Sequence, residues 1–163
     1  MTKWLLPAAL ILVAFSSSGR AQMKESLVGT WKLVSATETN EKGEVKGSYG
    51  PNPIGFLTYT ADGRMSVVGG DSRRKPLSLP TASTEERAGA FDTFFAYAGR
   101  YTVSGDRVIH HIEVCSVQAF VNTDQVRYVT LHGDRLSMRG GFVGGSVTYA
   151  AVWERLKPET TDK

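Results

Sequence analysis

The residues best suited to chemistry in this sequence are Tyr101, His110 and Arg127. Tyr101 and His110 lie at equal distances from the dipeptide Gly105-Asp106, so a hairpin turn there would place them side by side. A tyrosine beside a histidine can act as an acid–base pair. An arginine can hold a carboxylate through two parallel hydrogen bonds. The three residues together predict a site for an acidic ligand.

Other catalytic and metal-binding patterns are missing from the sequence. It has no phosphate-binding loop, nucleophile elbow, zinc-protease motif or dinucleotide-binding motif. His110 and His111 are adjacent, and because consecutive residues of a strand point to opposite faces, they cannot share a metal ion. Cys115 is the single cysteine, which excludes an internal disulfide, and its spacing from His111 predicts that it faces outward. We therefore predict no catalytic residues, no metal site and no cofactor.

The elements that must position these residues are predicted to be strands. Apolar and polar residues alternate in eight segments that are separated by turn signals, and this pattern is typical of an all-β antiparallel barrel or sandwich. The predicted strands cover residues 29–38, 55–60, 64–68, 100–104, 107–117, 125–132, 135–139 and 146–156.

Three short turns predict the register of three hairpins. Gly105-Asp106 and Gly133-Asp134 fit two-residue turns. The residues 61–63 fit a three-residue loop, because a shorter loop would exchange the apolar and polar faces. The pairs predicted to lie opposite each other are Leu57 with Val67, Tyr59 with Met65, Tyr101 with His110, Val103 with Val108, Leu131 with Leu136, and Val129 with Met138.

These registers predict an apolar interior face that also carries Tyr101, His110 and Arg127. No acidic residue on the strands that carry these three residues shares their inward phase, and a buried arginine is costly unless it is paired. We therefore predict an amphipathic ligand whose acidic end binds Arg127 and His110. Its apolar body is predicted to contact Val129, Leu136, Met138, Phe91 and Phe95. The alternatives are that His110 and Arg127 are structural residues, or that Arg127 lies in water at the barrel rim.

One helix is predicted between the third and fourth strands, over residues 84–98. Ser83 and Glu86 have the spacing of a capping box. Apolar residues, among them Phe91 and Phe95, then recur at helical spacing. The helix either plugs one end of the barrel or places its aromatic residues at a ligand cavity.

Residues 1–21 have the layout of a secretory signal peptide. Lys3 precedes an apolar run over residues 4–15, and Gly19-Arg20-Ala21 provides small residues at a cleavage site. The apolar run is shorter than the roughly 20 residues that span a bilayer. We expect cleavage after Ala21, a mature domain of residues 22–163, and a secreted or periplasmic location without a stable membrane span. The alternative is an uncleaved anchor.

Charge gives no support for binding to nucleic acids or anionic lipids. The full chain of 163 residues has a formal net charge of +3. Removal of residues 1–21 leaves 17 basic residues against 16 acidic ones, a net charge of +1. We therefore predict no nucleic-acid partner.

Several segments of the chain resemble a known family. Gly29-Thr30-Trp31 in the first predicted strand and Arg155 in the last resemble the pattern of lipocalins. Residues 49–65, 97–101, 108–114, 125–128 and 133–136 are similar to the lipocalin-like domain family of bacterial and fungal proteins, which is of the calycin type. The resemblance implies an eight-stranded antiparallel up-and-down barrel with one short helix between strands 3 and 4. It also implies that Trp31 and Arg155 pack together and close the barrel.

Three functions from different classes follow from these features. The first is binding of a small hydrophobic or amphipathic molecule, acidic ones included, inside the barrel. The second is a cofactor-free enzyme of the cyclase or isomerase type that acts on a hydrophobic substrate. The third is a structural or partner-binding barrel with a filled interior. Missing catalytic motifs favour the first, so we expect a binding protein rather than an enzyme.

Overall fold

The computed structural model describes residues 15–141 and 146–157, with side chains from residue 21 onward. These residues form two α-helices, nine strands and one turn of 3-10 helix at Gln118–Phe120. The bounds are α1 Phe15–Leu27, β1 Gly29–Thr39, β2 Val45–Gly47, β3 Pro53–Tyr59, β4 Arg64–Asp71, α2 Thr84–Asp92, β5 Phe94–Ser104, β6 Arg107–Cys115, β7 Asp124–His132, β8 Arg135–Gly141 and β9 Thr148–Arg155.

The strands form a closed antiparallel barrel. Each barrel strand pairs with the next along the chain, in the order β1, β3, β4, β5, β6, β7, β8 and β9, and β9 pairs back onto β1. The short strand β2 adds to the edge of β1. Helix α2 lies between the third and fourth barrel strands. The predicted eight-stranded barrel with one such helix is confirmed, with β2 as an extra strand.

The predicted hairpin registers are confirmed. Strand β3 pairs with β4, β5 with β6, and β7 with β8 through the turns identified in the sequence. Gly63, Gly105 and Gly133 have φ of +88°, +62° and +57°, a backbone conformation that glycine adopts without a steric penalty. The pairs observed are Leu57–Val67, Tyr59–Met65, Tyr101–His110, Val103–Val108, Leu131–Leu136 and Val129–Met138.

Helix α2 is shorter than predicted. The capping box at Ser83 is present, with both of its hydrogen bonds to Glu86. However, α2 ends at Asp92, and residues 94–98 belong to β5, where they pair with β4. Phe91 is 52% exposed and α2 has no buried residue. The predicted helix to residue 98 is therefore wrong, since pairing with β4 satisfies the backbone of this aromatic segment and buries Tyr97.

A β-bulge in β6 corrects the predicted orientation of Cys115. Gly99 pairs with Ile112 while Ala98 pairs with Val114, so Glu113 is an extra residue in β6. The bulge reverses the phase beyond Glu113. Cys115 therefore faces Tyr97 and packs against the core, and Val114 is 61% exposed. The prediction of an outward-facing Cys115 is wrong because strict alternation was assumed through the bulge.

One end of the barrel, which we call the floor, is closed by Trp31, Arg155 and residues 26–28. The Trp31 indole Nε1–H donates to the carbonyl oxygen of Leu27 at 2.9 Å. The Arg155 guanidinium carbon lies 4.1 Å from the centre of the Trp31 ring, and its Nη atoms donate to the carbonyl oxygens of Ser26 and Val28 at 2.6 and 2.7 Å. The floor therefore contains the cation–π contact that the resemblance implies, together with the end of α1.

The predicted signal segment lies mainly outside the described residues, which begin at residue 15. Helix α1 runs through the predicted cleavage position after Ala21 and ends at Leu27, whose side chain is fully buried. None of the helices in the described part of the chain combines the length and apolar character needed to cross a membrane. Cleavage, the domain boundary at residue 22 and the location remain predictions.

Candidate functional site

A hydrogen-bonded histidine lies at the centre of the barrel. His110 on β6 is fully buried. Its Nε2 is 2.6 Å from the hydroxyl oxygen of Tyr59 on β3, and its Nδ1 is 2.7 Å from that of Tyr97 on β5. Burial and then the nearby positive charge of Arg127 lower the pKa of His110 well below its usual range. The imidazole is therefore neutral, with one donor nitrogen and one acceptor nitrogen.

Arg127 on β7 points into the barrel, as its phase predicts. It is 1% exposed, and its Nη1 donates to the carbonyl oxygens of Val126 and Gly141 at 3.1 and 2.9 Å. Arg127 and Tyr97 line the same cavity, and the positive charge of Arg127 acts to lower the pKa of the Tyr97 phenol. Gly140 makes room for this arrangement, because a Cβ there would lie 3.3 Å from Arg127 Nη1 and would overlap the carbonyl oxygen of Val126.

A small cavity borders Arg127. Its volume is about 40 Å³, which is more than the roughly 10–15 Å³ that a single water molecule needs. The cavity therefore has room for a few water molecules. Apolar and aromatic side chains form most of its lining, with two charged side chains among them. The lining residues are Leu33, Glu38, Tyr49, Val67, Gly69, Phe95, Tyr97, Arg127, Met138, Tyr149 and Trp153.

The phenols around the cavity are protonated. Burial raises the pKa of Tyr97 to about 12, although the charge of Arg127 opposes the increase. Burial also raises the pKa of Tyr49 and of Tyr149, and the negative charge of Glu38 contributes to both increases. Each phenol therefore offers a hydroxyl proton rather than a negative charge at neutral pH.

Trp153 adds a further donor to the cavity lining. Its side chain is 2% exposed, and its buried indole N–H has no hydrogen-bond acceptor among the described residues. A buried donor without an acceptor costs about 1–3 kcal/mol. Glu38, whose side chain is 33% exposed, is the acidic residue of the lining and forms an ion pair with Lys46 at 3.2 Å. Arg127 and Trp153 are the buried lining residues that carry N–H donors.

The structure brings together only some of the predicted ligand-binding residues. Arg127, Met138 and Phe95 line the cavity, although Phe95 does so from β5 and not from a helix. Leu136, also predicted to contact the ligand, is fully buried and does not line the cavity. The four remaining predicted residues, Tyr101, His110, Val129 and Phe91, do not line it either.

Each of these four has a definite place outside the cavity. The Tyr101 hydroxyl donates to the carbonyl oxygen of Thr60 at 3.0 Å, and its ring centre is 4.6 Å from that of Tyr59. His110 is enclosed by two tyrosine hydroxyls, and Val129 is buried opposite Met138. Phe91 lies on the exposed helix α2.

Five polar cavity residues were not among the predicted ligand-binding residues: Glu38, Tyr49, Tyr97, Tyr149 and Trp153. Tyr97 was hidden by its assignment to a helix. Trp153 lies two positions before Arg155 on the same strand, so its inward phase was available from the sequence. Tyr49 follows from no periodic pattern, because it lies in a loop with φ of +63°.

The neighbouring His111 lies on the outer face of the barrel. Its Nδ1 is 2.6 Å from Asp124 Oδ1, and its Nε2 is 3.0 Å from the hydroxyl of Thr102. The two adjacent histidines therefore point to opposite faces. In the part of the chain that the structure describes, no three His, Cys, Asp or Glu side chains are grouped to hold a metal ion.

Comparison with known proteins identifies the family. Residues 28–155 match the lipocalin-like domain family. A solved structure of a lipocalin-like protein from Bacteroides uniformis aligns with 80% of this chain and 98% of its own chain, at 13% sequence identity and a TM-score of 0.44. The curated proteins contain no match to this sequence. Because the family match covers most of its length, the chain belongs to the lipocalin-like domain family.

Proposed function

We propose that the barrel binds a small molecule by its acidic head, and that the head occupies the inner cavity beside Arg127. The lipocalin-like barrel itself suggests small-molecule binding in general terms. The observation that carries the finer proposal is that two donor-bearing side chains line one cavity: Arg127 and Trp153, whose buried indole N–H has no acceptor among the described residues. A carboxylate offers acceptors to both and no donor of its own.

The size of the cavity restricts the ligand. Space for a few water molecules accommodates a carboxylate with a short alkyl group, but no long acyl chain. Phe95, Met138 and Leu33 supply apolar contacts for the alkyl group. Pockets of this kind are mostly apolar, with a few polar groups that orient the ligand.

A structural barrel with a filled interior is the second candidate, and the same small volume favours it. On that alternative the cavity holds ordered water, and Arg127 and His110 only stabilise the interior. The two functions differ in whether a carboxylate competes with water for Arg127. An isomerase or cyclase would need an accessible base, and His110 is enclosed by Tyr59 and Tyr97.

The decisive experiment is a calorimetric titration with propionate and with propionamide, which has a similar shape but carries no charge. We expect propionate to bind more tightly. Arg127→Leu should weaken propionate binding about 30-fold, which corresponds to roughly 2 kcal/mol for a lost charge-assisted hydrogen bond. Arg139→Leu is the matched control, because Arg139 is exposed on β8. Equal affinity for propionate in the wild type and Arg127→Leu would favour the filled barrel.

We also propose that residues 1–21 direct export and are removed. Cleavage after Ala21 would leave residues 26–28 in place, so the mature chain would keep the carbonyl groups that Arg155 binds. Mass spectrometry of the exported protein should find a chain that begins at Gln22. A mature chain that retains Met1, or that begins after Val28, would contradict this proposal.

A further inference from the structure

A continuous set of buried polar side chains leads from the cavity into the closed part of the barrel. Arg127 and Tyr97 both line the cavity, the Tyr97 hydroxyl hydrogen-bonds His110 Nδ1, and His110 Nε2 hydrogen-bonds the Tyr59 hydroxyl. Tyr97 lines the cavity, whereas His110 and Tyr59 do not. The direction of each hydrogen bond therefore decides whether Tyr97 offers a donor or an acceptor to a ligand.

Two arrangements of the protons are compatible with these distances. Arginine only donates, and each hydroxyl and the neutral imidazole carry one proton. In the first arrangement Tyr97 donates to Nδ1, Nε2–H donates to Tyr59, and the hydroxyl proton of Tyr59 is left over. In the second, Tyr59 donates to Nε2, Nδ1–H donates to Tyr97, and the hydroxyl proton of Tyr97 is left over.

Burial at Tyr59 favours the second arrangement. Tyr59 is 1% exposed, and within the described residues the Tyr59 hydroxyl hydrogen-bonds His110 alone. A leftover proton at Tyr59 would therefore be buried without an acceptor, which is unfavourable. A leftover proton at Tyr97 lies beside the cavity, where a bound molecule or water accepts it.

We infer that His110, as its Nδ1–H tautomer, holds Tyr97 as a hydrogen-bond donor, so that the cavity accepts ligand heads that carry acceptors only. The hydroxyl oxygen of Tyr97 accepts from Nδ1–H, and its own proton is directed to the ligand. Tyr97 is then a specificity-determining residue, and His110 and Tyr59 are positioning residues. The inference rests on the proposed binding of a carboxylate.

A positive charge on His110 is not an alternative way of selecting the ligand head. Burial and Arg127 lower the pKa of His110, so the imidazole stays neutral. The other charged group that faces the cavity is Glu38, and it is paired with Lys46. His111 lies on the opposite face of β6, bound to Asp124. Selection among ligand heads therefore depends on which imidazole nitrogen carries the proton.

The tautomer is measured by nitrogen NMR of the full chain labelled with [15N]histidine. The chain has three histidines, and the variants His111→Gln and His132→Gln assign the signals of His110. We expect Nδ1 to give the signal of a protonated nitrogen and Nε2 that of an unprotonated one, without ligand and with saturating propionate. A protonated Nε2 in the propionate complex, alone or with Nδ1, would overturn the inference.

Three tyrosine variants test the link to binding. Tyr97→Phe should weaken propionate about tenfold and reduce the preference for propionate over propionamide. Tyr59→Phe should also weaken propionate severalfold and lose the single defined tautomer, although Tyr59 does not line the cavity. Tyr101→Phe is the control, because the Tyr101 hydroxyl binds Thr60 and should leave both the tautomer and the affinity unchanged.

The outcomes separate the inference from the proposed function. If propionate does not bind the wild type, the proposed function and the donor role of Tyr97 both fail. If propionate binds and requires Arg127, but Tyr97→Phe and Tyr59→Phe bind it as tightly as the wild type, the inference fails and the proposed function stands. The wild-type NMR measurement decides the tautomer even if a tyrosine variant does not fold.

Discussion

At the scale of single residues, the interior of this barrel combines large apolar side chains with a small number of buried polar ones. His110 and Arg127 are almost completely removed from water, and each has protein partners for its polar atoms. Burying such polar groups costs little folding free energy only while each of them keeps its hydrogen bonds. They therefore make the stability of the barrel sensitive to protonation and to single substitutions.

We predict that His110 makes the fold less stable in mild acid. Its pKa is lowered in the folded protein, so below pH 6.5 the unfolded chain binds a proton at this position that the folded chain excludes. The free energy of unfolding should therefore fall by up to about 1.4 kcal/mol per pH unit as the pH is lowered below 6.5. Urea titrations at several pH values measure this slope.

The control for the pH prediction is an exposed histidine. His110→Gln should be less stable than the wild type at pH 7 but should lose most of the slope, whereas His132→Gln should keep the wild-type slope. The lowered pKa values of Asp71 and Glu113 affect stability only at lower pH, as these carboxylates become protonated. A wild-type slope retained in His110→Gln would show that another group is responsible.

A second prediction concerns Arg155 in the floor. Arg155→Ala removes the cation–π contact with Trp31 and two hydrogen bonds to carbonyl oxygens of residues 26 and 28. We expect a loss of about 2 kcal/mol, and thus a Tm lower by several degrees. Propionate affinity should not change, because the cavity lies away from Arg155. Arg135→Ala, an exposed arginine on β8, is the control, and an equal Tm for the two variants would contradict the prediction.

Residue phase predicted part of the site from the sequence. The pairing of Tyr101 with His110 and the inward direction of Arg127 followed from turn geometry, because a hairpin turn determines the register of both strands. Alternation along a strand predicts whether a side chain points inward, but it does not predict how far along the barrel axis that side chain lies. For this reason the actual neighbours of His110, Tyr59 and Tyr97, were not identified, and Tyr101 was assigned to the ligand instead of Tyr97.

At the scale of secondary structure, the aromatic segment before β5 shows how tertiary pairing overrides local periodicity. Phe91 and Phe95 have helical spacing, but Phe95 and Tyr97 have strand spacing, and the edge of β4 was available for pairing. The capping box determined the start of α2, whereas the sequence contains no comparable signal for its end. Helix starts were therefore more predictable here than the change from helix to strand.

The bulge in β6 was also invisible to alternation, and it depends on a glycine. A Cβ at Gly99 would overlap the carbonyl oxygen of His111 and lie 3.0 Å from the backbone nitrogen of Glu113. Gly99→Ala should therefore destabilise the fold by about 2 kcal/mol, in the range of overpacked interiors. The control is Gly89→Ala in exposed α2, where a Cβ meets nothing within 4 Å.

The control should respond in the opposite direction. Alanine favours a helix over glycine by about 1 kcal/mol, so Gly89→Ala should raise the free energy of unfolding. Chemical denaturation of both variants and the wild type gives the two changes. If Gly99→Ala is as stable as the wild type, the backbone of the bulge is not fixed by the close approach at Gly99.

At the scale of the whole molecule, the barrel is closed at the floor and nearly filled inside. The closed barrel and its Trp31–Arg155 contact were predicted from the family resemblance, because the segments that carry this resemblance can be read directly from the sequence. The volume left in the interior was not predictable, since it depends on how eleven lining residues from different strands and one loop pack together. That volume decides between a short-chain ligand and a long one.

The size of the interior yields the last prediction. Met138 lines the cavity and is 4% exposed, so Met138→Ala should enlarge the cavity and cost about 2–5 kcal/mol of stability. In a titration series from acetate to octanoate, the tightest-binding chain length should be longer for Met138→Ala than for the wild type. Val129→Ala is the matched control, because Val129 is buried opposite Met138 but lies outside the cavity.

Val129→Ala should therefore lose stability without any change in the preferred chain length. The results for Met138→Ala and Val129→Ala together distinguish a ligand that enters the cavity from one that binds elsewhere on the barrel. If Met138→Ala and the wild type prefer the same chain length, the alkyl group does not lie beside Met138. The carboxylate at Arg127 would then have its alkyl group directed toward the opposite side of the cavity, where Leu33, Val67 and Tyr49 are the next residues to substitute.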